Sequence, residues 1–142
     1  MRRMDERRRR QLVFHGAVSI FLGLVAGFPL ALVILGQMAG DLRAWRMAHL
    51  EGVLNGMLLW AAAGGAPVLR LSQRSQKVLV WALVVVAYGN TIASILGAAA
   101  GERGLEPGGN AANMTVYLLF MVAVVAIFVA TAFVAAGSRS RR

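Results

Sequence analysis

Four long apolar runs, at residues 12–38, 47–69, 78–100 and 114–136, alternate with short polar segments rich in arginine, glycine and turn-forming residues. Each run exceeds the roughly 20 residues that a helix rising 1.5 Å per residue needs to cross about 30 Å of hydrocarbon. The pattern therefore predicts an all-α, integral membrane four-helix bundle forming one domain over residues 1–142. The first run is too long and too similar to the other three to read as a cleaved leader. Pro29 falls inside it and is expected to kink the first helix, because its missing N–H frees a carbonyl.

Polar residues inside these runs are costly in hydrocarbon and call for a reason. The densest group is in the stretch A-W-R-M-A-H-L-E-G-V-L-N-G-M-L-L-W at residues 44–60, with His49, Glu51 and Asn55. On a helix, Gly52 and Gly56 share a face with His49. Two readings follow: a flat wall for a planar macrocycle with His49 as axial metal ligand, or a small-residue seam against another helix with His49 an interfacial residue bonded to a carbonyl. The third run carries a second group, Tyr88, Asn90, Thr91 and Ser94. Asn55 and Asn90 both fall roughly 12–14 Å deep by residue count. They are expected either to bridge each other or to line a pocket with His49 above it, lidded by the glycine-rich segment 101–110. His15 is placed about 25 Å from His49 along the membrane normal. That separation excludes a shared metal in one chain and leaves His15 hydrogen-bonded near the other interface. Trp45 is expected as an interfacial anchor.

Composition supports the membrane class and the charges suggest an orientation. The chain is 58% hydrophobic, with mean hydropathy +0.66, more apolar sequence than 142 residues could bury in a soluble core. Its net charge of +9 would suit nucleic acid if it were clustered on a polar domain. Instead twelve of the fifteen basic residues fall before the first run, between the second and third, or after the fourth. Only Arg43, Arg46 and Arg103 lie on the other side. By the positive-inside rule both termini are cytoplasmic, in a multi-pass protein of the cytoplasmic membrane with no nucleic-acid role. Cysteine is absent, which removes disulfide and thiolate chemistry.

The stretch A-W-R-M-A-H-L-E-G-V-L-N-G-M resembles the styrene oxide isomerase family, where a similar W-A-R-A-H segment is followed by Asn-Gly six residues after the histidine. Phe14-His15-Gly16, Gly89-Asn90 and Arg103-Gly104-Leu105 match in order. The resemblance implies a homotrimer of four-helix subunits that holds haem b between neighbours, with His49 as axial ligand. It also implies ferric iron acting as a Lewis acid on an epoxide oxygen, with Asn55 helping to position that oxygen. The third helix departs from the family's pattern: Val86 and Ser94 stand where the family has an aspartate and a tyrosine.

Taken together, the sequence suggests a membrane isomerase converting aryl epoxides such as styrene oxide to aldehydes. His49 with Gly52 and Gly56 would hold the cofactor, and Asn55, Asn90, Tyr88 and Ser94 would supply hydrogen bonds. A lipid-borne hydrophobic epoxide would be the substrate, and an apolar site would suppress the hydrolytic side reaction. Two rival classes are a haem sensor or electron carrier without isomerase activity, and a cofactor-free scaffold whose polar residues only pack helices.

Overall fold

Each helix starts on a side chain that accepts hydrogen bonds from the free N–H groups of the first turn. In the computed structural model, which describes residues 3–139, Asp5 opens α1 (Glu6–Ile34) and Asp41 opens α2 (Leu42–Gly65). Ser72 opens α3 (Gln73–Ala100) and Asn110 opens α4 (Ala111–Ser138). The Asp41 cap is the tightest of these, with its carboxylate 2.7 Å from the Arg43 N–H. At the other ends, Gly101 closes α3 at φ +71°, a left-handed conformation that glycine adopts without a Cβ penalty. Pro67 turns the chain out of α2 through a single 3₁₀ turn, Ala66–Val68.

These boundaries shift the expected spans. α1 begins inside the arginine-rich arm and ends at Ile34, continuing through Pro29 without a break. α2 begins before the apolar run and takes in Arg43, Trp45 and Arg46, because Asp41 supplies a cap that hydropathy does not register. Trp45, expected as an interfacial anchor, faces into the bundle. It is buried with Ala26, Ala48 and Ala98, with Val33 packed alongside. α1, α3 and α4 are each long and apolar enough to cross a membrane. α2 is more polar, since His49, Glu51 and Asn55 fall on it, and it spends that polarity on bonds inside the bundle.

α3 is the central helix, packing on α1, α2 and α4. Beside it, α1 and α2 approach backbone to backbone. A Cβ on Gly52 would collide with the backbone of Gly23, and one on Gly56 would collide with Gly16 and Ile20. That is the small-residue seam of membrane helix pairs. Between two apolar clusters the core carries one polar layer, in which Ser19 Oγ donates to the Gly52 carbonyl at 3.0 Å and lies 3.4 Å from Thr91 Oγ1. Nearer the chain ends, the buried Gln76 side chain accepts from the Asp5 N–H and donates to the Arg3 and Leu71 carbonyls. The Arg70 N–H donates to Gly137. These bonds place the start of α1, the α2–α3 connection and the end of α4 at one end of the bundle. Arg2, Arg141 and Arg142 of the basic arms lie outside the described residues.

Candidate active site

His49 projects from α2 toward α1, where its Nδ1 lies 2.9 Å from the Gly23 carbonyl oxygen. A carbonyl can only accept, so Nδ1 carries the proton, and Nε2 is the ring nitrogen not engaged by this bond. Gly27 makes room for the ring: a Cβ there would stand 3.2 Å from Nδ1. This is the arrangement that orients ligating histidines, one ring nitrogen fixed by a carbonyl and the other presented to a metal. Among the described residues no group of three or more His, Cys, Asp or Glu could cage a bare ion. A single imidazole suits an iron whose remaining protein-independent ligands come from a macrocycle. The donor set therefore fits haem. The expected wall does not, because α1 covers Gly52 and Gly56, whose role is the helix seam.

A cavity of about 360 Å³ opens between α2, α3, α4 and the 101–110 segment, at the end of the bundle away from the chain termini. The segment does border this pocket, through Gly101, Glu102, Arg103 and Leu105. Of the expected site residues, Ser94 lines it. Glu51 lines it too, one turn before Asn55 on the same helical face, a spacing that pairs the two residues although polarity alone does not mark Glu51 as a site residue. Asn55 is only 6% exposed and stands behind Glu51. Its Nδ2 donates to the Glu51 carbonyl at 2.8 Å and to Glu51 Oε2 at 2.7 Å. The expected bridge between Asn55 and Asn90 does not form among the described residues; a partner one turn away is nearer than one on another helix. Asn90 is half-buried on α3.

Tyr88 belongs to another place. Its hydroxyl lies 3.0 Å from His15 Nδ1, and the two rings meet edge to face at 5.7 Å. Tyr88 thus ties α3 to α1, away from the cavity. This gives His15 the hydrogen bond expected for it, although its distance from His49 is overestimated by simple counting. Gly23, which holds His49, is eight residues beyond His15, so the separation along α1 is about 12 Å. That still excludes a shared ion. His49 and Glu51 are about 200° apart around α2. The imidazole accordingly faces α1 while the cavity opens toward α3 and α4. The expected pocket with His49 above the asparagines is not formed within one chain. Val86, at the family's aspartate position, is buried.

Comparison with known proteins agrees with the architecture. Residues 8–139 match the family model described as styrene oxide isomerase. Over 87 residues the chain is 37% identical to the hydroxylaminobenzene mutase HabB of Ectopseudomonas oleovorans, a match covering 61% of this chain and 49% of that protein. The chain thus spans about half the length of this curated relative.

Proposed function

Since the chain belongs to the styrene oxide isomerase family, we propose that it is a haem b-dependent membrane isomerase that rearranges small aryl epoxides such as styrene oxide to aldehydes. The observation that carries this reading is the Nδ1 to Gly23 hydrogen bond, which fixes the ring and makes Nε2 the nitrogen that would hold iron. When bound, ferric haem supplies a Lewis acid that polarises an oxygen without net redox change. On the other face of α2, the cavity wall presents few nucleophilic groups. The cavity combines apolar side chains such as Ala93, Ala98, Val116 and Phe120 with the charged Asp41, Arg43, Glu102 and Arg103. Ser94 offers a hydroxyl and Glu51 a carboxylate held by Asn55.

His49 and the cavity face different sides of α2, so a neighbouring copy is needed to bring a second wall to His49. A homotrimer with the site repeated at each interface meets that need with one kind of contact. The protein sits in the cytoplasmic membrane with both termini on the cytoplasmic side, and substrate enters from lipid. A second reading is favoured by the relative named hydroxylaminobenzene mutase: the substrate is an aryl hydroxylamine, rearranged within the same kind of site. Both substrates carry one aromatic ring and a weak bond to oxygen.

The test is optical. Protein purified from haem-supplemented cells is expected to show a Soret band that His49→Ala abolishes or strongly shifts and His15→Ala leaves in place. The reverse pattern would assign the iron to the other histidine, and no band at all would return the chain to a cofactor-free scaffold. A band with no turnover of any aryl substrate would favour a sensor or electron carrier.

A further inference from the structure

Glu51 is an acidic side chain on the wall of an otherwise mostly apolar cavity in the membrane bundle. Among the described residues it has no cation within ion-pair distance, the only such pairs being Arg9 and Arg10 with Glu6. Arg43 and Arg103 line the same cavity without pairing with it. The other two acids on the wall are engaged elsewhere, Asp41 as the cap of α2 and Glu102 as acceptor for the Asn110 amide. Behind Glu51, the Asn55 amide has two N–H groups, and its nitrogen sits within bonding distance of two groups that only accept, the Glu51 carbonyl and Oε2. Both hydrogens are committed there, so Asn55 has no donor left for a substrate oxygen.

We propose that Glu51 recognises the polar end of the substrate, that Asn55 is the positioning residue that fixes its carboxylate, and that the cavity selects ring-bearing molecules whose polar end donates an N–H or O–H. The inference rests on the reading of this cavity as the substrate site. An ionised carboxylate offers about four acceptor positions and no donor, and Asn55 occupies one of them. An aryl hydroxylamine brings N–H and O–H to the remaining positions. An epoxide brings only lone pairs, which face the carboxylate oxygens without a proton between them. At about 360 Å³ the cavity has room for one substituted ring. Of the two substrate classes above, Glu51 serves the hydroxylamine, whereas an epoxide oxygen would take its hydrogen bond from the Ser94 hydroxyl on the same wall.

Benzyl alcohol and anisole test this directly, since they are isomers of one formula and differ in having or lacking an O–H. Their binding to the full-length protein in nanodiscs, with empty nanodiscs as blank, is read by saturation-transfer NMR. Benzyl alcohol is expected to bind about 10- to 100-fold more tightly, the range of one hydrogen bond to a charged acceptor. Glu51→Ala is expected to bring the two to near equality. Should that variant not fold, Glu51→Gln keeps the size of the side chain and is expected to show a smaller loss of preference. Equal binding by the unmodified protein, a preference unchanged in the variants, or binding of neither probe would overturn the proposal. Turnover is assayed separately with hydroxylaminobenzene and styrene oxide. Turnover without alcohol preference removes this inference and leaves the isomerase reading standing, whereas preference without turnover does the reverse.

Discussion

Gly52 and Gly23 show how much a single hydrogen atom in place of a side chain matters here. A Cβ on Gly52 meets main chain, which cannot rotate away as a flexible side chain can. Gly52→Ala is expected to destabilise the bundle by about 3 kcal/mol, at the upper end of overpacking costs. Gly64, on the same helix, has nothing within 4 Å of its would-be Cβ. Gly64→Ala is expected to stabilise by about 0.5–1 kcal/mol through lost unfolded-state freedom. Thermal unfolding in detergent should move the two midpoints in opposite directions, and equal shifts would show that the seam is not as tight as the geometry says. At the same scale, Asn55→Ala removes the bond that fixes the Glu51 carboxylate, along with the one to its main-chain carbonyl. The variant is expected to lose about 10- to 100-fold in kcat/KM while keeping its haem content, as suits a residue that acts through another. Loss of haem in this variant would instead make Asn55 part of the cofactor site.

Among the elements, α2 is where sequence reading succeeds and fails side by side. Its histidine and asparagine stand out because polar groups in apolar runs are rare and costly. Their partners are less legible. Hydropathy counts Gly52 and Gly56 as small residues on the His49 face, but only the packing of α1 shows whether that face holds a cofactor or a helix. Asn55 and Asn90 share a depth, yet depth does not give the angle around each helix, and the local Glu51 captures the amide first. Tyr88 looked available for the same reason and is engaged by His15. The four helices themselves were readable because apolar length alone predicts them, while their starts were set by caps such as Asp41 and Ser72. Tyr88→Phe is expected to loosen the α1–α3 contact by about 1 kcal/mol, the net worth of one hydrogen bond, and to leave the Soret band unchanged. A changed spectrum would place the His15 pair within reach of the iron.

For the whole molecule, the bonds from Asp5 to Gln76 and from Arg70 to Gly137 put three of the basic segments at one end of the bundle. On the proposed topology, the charge rule would turn that end toward the cytoplasm. Reporter fusions after residue 142 and within 101–110 are expected to report opposite sides, with the chain end inside. An outside chain end would reverse the orientation of the cavity. Assembly is the other property of this scale. His49 and the Glu51 cavity face apart in one chain, so native mass spectrometry is expected to find haem in a trimer, and a monomer retaining it would contradict the shared site.

Isomerisation itself is the most direct measure of the account. Haem-loaded protein in nanodiscs is incubated with styrene oxide and, separately and without oxygen, with hydroxylaminobenzene, and products are followed by chromatography coupled to mass spectrometry. The account predicts a product of unchanged mass from at least one of the two, lost with His49→Ala. No isomer from either substrate, with ferric haem demonstrably bound, would contradict it.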